Sequence, residues 1–236
     1  MATKLWTFKQ REYIEKYGLK GQEDGVCLAL SARWAKMRLK KPGQVLDQVK
    51  RTNYFEKAPK IGKRSVATVI ADMQEAYDTV RVPVQQRVKE LDTQVEAIFD
   101  QYMEDKISFQ DYERLKAPLE QLAEVQGGLV SNALDQLLAR QHLHVVRKKN
   151  CSSFQDFFKD VQDKACYVFK CFDLKHAFAG YFVERVIWDD FYLFDPNAGE
   201  FHMDGSSEME QFMAGAKNVF GVAGRAERFQ VAYTPG

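Results

Sequence analysis

Residues 24–34 read DGVCLALSARW, and the rest of the chain is interpreted from this stretch. The segment that leads into it contains three glycines typical of a turn-forming loop: Gly18, Gly21 and Gly25. The apolar residues that follow recur at the spacing of one helix face: Leu30, Trp34 and Met37. Pro42 and Gly43 end the predicted helix. Cys27 is therefore expected at the N-terminal end of an amphipathic helix.

The chain contains four cysteines whose spacing does not suggest a disulfide framework, and all are expected as thiols: Cys27, Cys151, Cys166 and Cys171. Cys166 and Cys171 lie in an apolar run, where alternation puts them on opposite faces of a strand and argues against a shared metal. Cys27 differs by its position at a helix start. The partial positive charge there favours the thiolate, which makes Cys27 the candidate nucleophile.

His176 and Asp195 are the candidate partners of Cys27. His176 opens the strand-like segment HAFAGYFV, where its side chain can project at a sheet edge. Asp195 ends the segment DFYLFD, and the following Pro196 keeps the backbone at Asp195 extended. An imidazolium stabilises a thiolate, and a carboxylate orients the imidazole. Taken singly each residue also suits a structural role, but their order and settings favour a Cys–His–Asp triad.

Acyl transfer by a thiol also needs donors for the oxyanion that forms on the attacked carbonyl. The backbone N–H of Cys27 is one expected donor. Gln22 stands five residues before Cys27, and its side-chain amide is the expected second donor. Gly21 and Gly25 would let the loop bend this amide over the thiol. The alternative for Gln22 is an ordinary glutamine in a surface loop.

The chain divides into three predicted parts, residues 1–63, 64–141 and 142–236. The middle part is helical, with two apolar stripes at heptad-type spacing: Val84, Val88, Leu91, Val95, Ile98 and Tyr102 in the first, and Leu115, Leu119, Leu122, Leu129, Ala133 and Leu137 in the second. Ser108 followed by Asp111 resembles a capping box. We expect an antiparallel helical hairpin in which Pro83 and Pro118 mark helix starts or kinks.

The flanking parts are expected to form one catalytic domain. Residues 51–63 are interpreted as a loop because they combine mixed charge with Pro59 and Gly62. After residue 142 aromatic and β-branched segments alternate with turn residues, which predicts antiparallel strands, a helix containing Met209, Phe212 and Met213, and a final strand. The basic run 147–149 is interpreted as a solvated turn. The fold class is therefore α+β, with the helical hairpin inserted between Cys27 and His176.

Three segments resemble the YopT/AvrPphB family of bacterial cysteine proteases: DGVCLALSARW, HAFAGY and LFDPNAGEF. The resemblance covers about 35 residues, and the hairpin carries none of it. It implies a papain-like fold and a triad of Cys27, His176 and Asp195. It also implies a bacterial effector, secreted or translocated into a host cell without a cleavable signal peptide, that acts on a host protein.

Composition excludes several other classes. The formal net charge of +1 gives no global field for nucleic acid or an anionic membrane. No apolar run approaches the roughly 20 residues needed to span a bilayer, and the N-terminus lacks a signal-peptide core, so a soluble protein is expected. No metal or other cofactor is expected. His142 and His144 with Cys151 offer a weaker metal set, and His202 a weaker alternative base.

Three functions remain open at this point. The first is an endopeptidase that attacks a peptide carbonyl through Cys27. The second is a glutamine deamidase or transglutaminase that uses the same triad on a side-chain amide. The third is a catalytically inactive binding scaffold on a papain-like frame, which the arm at 84–141 favours as a surface for a partner.

Overall fold

The computed structural model describes residues 2–19, 25–40, 48–61, 63–151, 156, 159–171, 176–184, 189–205, 207–209, 211–212 and 226–235. The elements follow along the chain as β1 (Thr3–Trp6), α1 (Gln10–Tyr17), α2 (Cys27–Lys40), α3 (Gln48–Lys57), β2 (Lys60–Ile61), β3 (Arg64–Ser65), α4 (Val66–Met103), α5 (Phe109–Arg140), β4 (Leu143–Cys151), β5 (Cys166–Cys171), β6 (His176–Val183), β7 (Asp190–Asp195), β8 (Gly199–Asp204) and β9 (Ala226–Tyr233). Two compact units are formed, one from residues 1–74 with 138–236 and one from 75–137.

The first unit is built on an antiparallel sheet. Within the described residues, seven strands pair in the order β1-β8-β7-β6-β5-β9-β4. Helix α2 lies against β5, β6, β7 and β9 on one face. The other face carries an aromatic cluster: Tyr167, Phe169, Phe178, Phe182 and Phe191. Strand β5 is buried at every position because both faces are covered, as its apolar sequence predicts.

A buried carboxylate, that of Glu200 at the start of β8, connects the sheet to several other elements. Glu200 is fully inaccessible to solvent. Its donors are two indole N–H groups and two guanidinium groups: Trp6, Trp34, Arg38 and Arg51. Burial opposes ionisation of Glu200, but the two arginines and the Trp34 hydrogen bond hold its pKa below the ordinary value. Glu200 is therefore an ionised group that joins α2 and α3 to the sheet and also binds Trp6 of the neighbouring strand β1.

Aromatic stacking around Phe194 completes this part of the core. The rings of Trp34 and Phe55 lie nearly parallel to that of Phe194, with centroids 5.9 and 5.5 Å away. Trp6 stacks on the same ring at 5.8 Å. Aromatic pairs of this kind contribute about 0.5–1.5 kcal/mol each beyond the apolar area they bury.

The expectation of a loop at residues 51–63 is wrong, because residues up to Lys57 belong to helix α3. Phe55 is fully buried against Phe194, and Arg51 pairs with Glu200. The mixed charge of this segment is that of a helix with one buried face. The expected turn at residues 147–149 is also wrong, since these residues lie in β4, which pairs with β9.

The α+β arrangement and the helical hairpin between Cys27 and His176 are confirmed. The predicted strands after residue 165 correspond to β5–β9. Residues 207–209 and 211–212 are helical, as predicted for Met209 and Phe212, while Met213 lies outside the described residues. The three-part domain division stays a prediction.

The second unit, residues 75–137, contains most of α4 and α5. Its tip is an aromatic cluster in which the ring centroids of Tyr102 and Tyr112 lie 5.3 Å apart. The predicted cap is present: the Asp111 N–H donates to Ser108 Oγ at 3.1 Å, and this hydroxyl donates to the Asp111 carboxylate at 2.8 Å. Pro83 and Pro118 lie inside the helices, so neither marks a helix start.

The predicted stripe on α4 is at least partly buried along its length, but the stripe on α5 divides into two. Leu119, Ala133 and Leu137 are shielded. The three residues spaced seven apart on the neighbouring stripe are exposed by 42–47%: Leu115, Leu122 and Leu129. The two sets differ because residues four apart on a helix are rotated by about 40° from one another. Binding of a partner by the arm stays a prediction.

We expect Glu200→Ala to lower the free energy of unfolding by about 3–5 kcal/mol, because it leaves Arg38 and Arg51 buried without a counterion. Urea denaturation of the purified protein measures this loss. Glu184→Ala is the control, since this exposed side chain should change the stability by no more than about 0.5 kcal/mol. Equal stability of the two variants would contradict the role assigned to Glu200.

Candidate active site

Cys27 is the first residue of α2, as predicted from the sequence. The Leu30 N–H donates to the Val26 carbonyl at 3.0 Å, which makes Val26 the N-cap position. The Gln74 side-chain oxygen accepts the Ala29 N–H at 3.2 Å and so satisfies another N–H of the first turn. The Cys27 side chain lies at this helix end, with 6% of the residue exposed.

His176 and Asp195 lie at the same end of the sheet. Strands β6 and β7 are antiparallel with Ala179 opposite Phe194, so the first residue of β6 comes close to the last residue of β7. His176 Nε2 lies 2.8 Å from Asp195 Oδ2. The ring also makes a hydrogen bond to the Cys27 side chain. The structure therefore brings Cys27, His176 and Asp195 into one hydrogen-bonded series.

The charge state of His176 follows from these contacts. Burial of the ring opposes its protonation, but the hydrogen bonds and charges of Asp195 and Cys27 outweigh burial and raise the pKa to about 10. Because this pKa lies above the ordinary value of 6.5, ionised His176 stabilises the folded protein fully below pH 6.5. That contribution is lost as the pH rises through about 10.

Helix α2 is fixed to both strands beside these residues. The Ser31 hydroxyl donates to the carbonyl of Ala177, the residue after His176, at 3.2 Å. Trp34 stacks on Phe194, the residue before Asp195. Ser31 and Trp34 therefore hold the helix that carries Cys27 against the positions next to His176 and Asp195.

The turn between β7 and β8 orients the Asp195 carboxylate. Its Oδ1 accepts the Asn197 N–H at 2.6 Å, while Oδ2 remains directed at His176. The turn closes at Gly199, which has a φ of +117°. A Cβ there would clash with the backbone of Trp6 in the neighbouring strand, so both conformation and space require glycine.

Comparison with protein families identifies the family of this chain. The model of the peptidase family described as Yersinia/Haemophilus virulence surface antigen, the YopT/AvrPphB family, matches residues 7–220. The chain belongs to this family. A comparison with curated protein sequences gave no significant match. The family resemblance read from the three sequence segments is confirmed.

One solved structure supports the fold. The chain is similar to the Pseudomonas avirulence protein AvrPphB, with a TM-score of 0.51 and 14% identity over 89% of this chain and 93% of that one. It also matches PatoxP, a cysteine protease-like domain of the Photorhabdus asymbiotica toxin PaTox, with a TM-score of 0.31 and 10% identity over 95% and 88% of the two chains. The likeness to AvrPphB confirms the expected papain-like protease fold.

Some residues near the candidate site were not expected from the sequence. Gln22 lies outside the described residues. Gln10, Gln74 and Asn197 all make hydrogen bonds around the site. Asn197 belongs to the LFDPNAGEF segment and could have been found from it, but Gln10 and Gln74 are isolated glutamines that no motif marks.

The remaining histidines have other surroundings. His202 Nε2 lies 2.9 Å from Asp190 Oδ1, and its ring stacks on Tyr192. His144 Nδ1 lies 2.9 Å from the Thr234 hydroxyl. Among the residues that the structure describes, no group of three or more His, Cys, Asp or Glu side chains could hold a metal ion. No described helix is both long enough and apolar enough to cross a membrane.

We expect the His176 ring to titrate with a midpoint near 10, and the midpoint to fall in Asp195→Asn and in Cys27→Ala, because each variant removes a group that stabilises the imidazolium. Imidazole carbon–proton NMR correlations measure it, and His176→Ala assigns the resonance. Asp190→Asn, beside His202, is the control and should leave the His176 midpoint unchanged. An unaltered midpoint in both test variants would contradict the hydrogen-bonded series.

Proposed function

We propose that this protein is a thiol endopeptidase that cleaves a protein of a host organism. Cys27 is the nucleophile, His176 the general base and acid, and Asp195 the residue that orients His176. The proposal rests on the hydrogen-bonded series of these three side chains at the N-terminus of α2. Membership of a virulence-protein peptidase family supports it independently.

The reaction proceeds through an acyl-enzyme. The Cys27 thiolate attacks the peptide carbonyl carbon, and the carbonyl oxygen becomes an oxyanion. The C–N bond breaks as His176 gives its proton to the leaving amine, which leaves a thioester on Cys27. Water then attacks the thioester while His176 accepts a proton from it, and the C–S bond breaks to release the carboxylic acid. Asp195 keeps its hydrogen bond to the imidazole and holds the ring in orientation throughout.

The oxyanion is stabilised by the Cys27 backbone N–H and by the side-chain amide of Gln22. The first N–H groups of a helix have no intrahelical acceptor and carry partial positive charge, so they suit an oxyanion at this position. Gln22 is assigned this role from the sequence, where it stands five residues before Cys27. Removing one such donor typically costs about 10²–10³ in kcat.

The surroundings of the thiols support the choice of Cys27. Burial raises the pKa of the Cys166 thiol to about 12, although Arg38 and the Tyr167 backbone partly oppose this. Burial likewise raises the pKa of Cys151. Both therefore favour the unreactive thiol form at neutral pH. Cys27 instead lies at the start of α2 beside His176, whose raised pKa keeps the imidazole protonated at neutral pH. Reactive cysteines are typically found in such electropositive surroundings.

Selective alkylation tests the nucleophile. At mildly acidic pH we expect iodoacetamide to modify Cys27 at least about tenfold faster than Cys151 or Cys166, because an adjacent imidazolium stabilises the thiolate. His176→Ala should remove this advantage, while Cys151→Ser should preserve it. Peptide mass spectrometry after timed alkylation measures the rate at each cysteine. Slow modification of all three thiols, unaffected by His176→Ala, would refute the proposed nucleophile.

The proposed setting is a host cell into which a bacterium secretes or translocates this protein. The family description as a virulence surface antigen supports that setting. In this proposal the protein substrate is the partner, and the reaction needs no metal or other cofactor, because a thiolate and an imidazole supply both nucleophile and proton transfer.

Incubation of wild type and Cys27→Ala with a host-cell lysate tests the reaction itself. New protein N-termini, detected by N-terminal labelling and mass spectrometry, should form with wild type. Cys27→Ala should lower their rate of formation by on the order of 10⁴-fold or more, since loss of a nucleophile removes the covalent pathway. Converted glutamine side chains without chain cleavage would instead indicate a deamidase or transglutaminase. A reactive Cys27 with neither product would favour a binding scaffold.

A further inference from the structure

The side chain of Gln10, the first residue of α1, bridges the segments that carry Cys27 and Asp195. Its Oε1 accepts the Val26 N–H at 3.0 Å, and its Nε2 donates to Asn197 Oδ1 at 2.7 Å. Its backbone N–H also donates to the Pro196 carbonyl at 2.7 Å. Gln10 thus contacts the residue before Cys27 and the two residues after Asp195.

The orientation of the Gln10 amide is determined by its partners. The backbone N–H of Val26 can only donate, so the amide oxygen must face it. The NH2 group must then face Asn197, which has to present its own oxygen. Both ends of the amide are engaged, and replacement by a side chain of similar length without an amide would lose both hydrogen bonds.

Gly25 makes room for this bridge. Its φ of +99° is a conformation that side-chain-bearing residues rarely adopt. A Cβ on Gly25 would also lie 2.9 Å from Gln10 Oε1 and 3.1 Å from Nε2. The loop before Cys27 can therefore lie against the Gln10 amide only with glycine at this position.

These contacts close a ring around the candidate site. From Cys27 the ring runs through His176 to Asp195, whose Oδ1 accepts the Asn197 N–H. The Asn197 side chain accepts from Gln10, and Gln10 accepts from Val26, which is covalently bound to Cys27. This closed series of contacts restrains the distance between the thiol and the imidazole by a second route, in addition to the hydrogen bond between Cys27 and His176.

We propose that Gln10 is a positioning residue that holds Cys27 within hydrogen-bonding reach of His176; this inference rests on the proposed endopeptidase function. Ser31 and Trp34 attach α2 to the sheet one and two turns beyond Cys27. Gln10 acts instead at Val26, the N-cap residue next to Cys27, where a small displacement directly lengthens the thiol–imidazole contact. A displacement of about 1 Å in a reacting geometry can cost on the order of 100-fold in rate.

If Gln10 is a positioning residue, its loss should affect the reactivity of Cys27 and not the stability of the fold. The stability of this unit depends on the buried Glu200 network and the stacked rings, neither of which includes Gln10. The bonds of Gln10 are only partly shielded, and Asn197 is exposed. Loss of these bonds should therefore reduce the reactivity of Cys27 while the protein stays folded.

The test is the alkylation rate of Cys27 by iodoacetamide in the full chain, in wild type and Gln10→Met. We expect Cys27 in Gln10→Met to react about tenfold more slowly than in wild type at about pH 6. At about pH 9 the difference between the two proteins should be much smaller, because an ordinary thiol ionises unaided near pH 8.5. A purely structural role would lower both rates alike. Arg11→Met is the matched control on the same helix, since that side chain is 90% exposed and should react as wild type does.

Asn197→Ala breaks the ring at its other end, while its backbone N–H can still donate to Asp195. It should slow alkylation in the same pH-dependent way, and Gln10→Met combined with Asn197→Ala should be no slower than either alone. If wild-type Cys27 is reactive and neither variant changes its pH profile, or if both variants unfold by circular dichroism, the inference fails while the proposed function stands. If wild-type Cys27 is unreactive, the proposed function itself fails.

Discussion

Burial of the Glu200 carboxylate is the constraint on which the first unit depends. Removing a carboxylate from water costs several kcal/mol, which must be offset by donors held in good geometry. Here the donors come from β1, α2 and α3, elements distant in sequence from β8. None of these elements can move away without exposing or unpairing a buried charge. The Glu200 network therefore specifies their arrangement as well as stabilising it.

The buried guanidinium of Arg38 is stabilised by aromatic rings as well as by its ion pair with Glu200. Within the described residues its Nε and Nη1 atoms have no hydrogen-bond acceptor, although they are buried. The guanidinium instead lies over the ring of Tyr192, 4.0 Å from its centroid, and near that of Trp34 at 5.0 Å. Aromatic faces supply the electrostatic stabilisation that hydrogen bonds do not. Tyr192 and Phe194 alternate along β7, so the strand that ends at Asp195 contributes to the same network.

The candidate site follows from this arrangement. Strands β7 and β8 pair with Phe194 opposite Glu200 and Asp195 opposite Gly199, so fixing Glu200 also fixes Asp195. Trp34 and Arg38 fix α2, and the first residue of α2 is Cys27. The pairing register of β6 with β7 places His176 close to Asp195. The LFDPNAGEF segment therefore combines an acid, a turn and the structural carboxylate within a few residues.

The sequence predicted the parts whose signals are local. Glycines followed by apolar spacing located the start of α2, alternating aromatics located β5–β9, and heptad spacing located the hairpin. Helix α3 was missed because its composition is mostly polar, and the burial of Arg51 depends on an ion pair with Glu200, which lies far along the chain. Strand β4 was missed because its basic run lies at a sheet edge, where only pairing with β9 defines it. Gln10 was missed because its significance depends entirely on contacts with Val26 and Asn197.

The insertion of a hairpin between Cys27 and His176 is compatible with the site because its ends lie together in the first unit. Gln141, just after α5, accepts a hydrogen bond from Arg33 of α2 at 2.7 Å, and its amide NH2 faces the sulfur of Met73 near the start of α4. The chain thus departs and returns at neighbouring points, and an insertion between such points leaves the sheet register unchanged. Gln141 is 1% exposed, so this closure belongs to the core and not to the surface. The hairpin's length is consequently free of the constraints that act on the positions of Cys27, His176 and Asp195, and the family match extends across the hairpin, from residue 7 to residue 220.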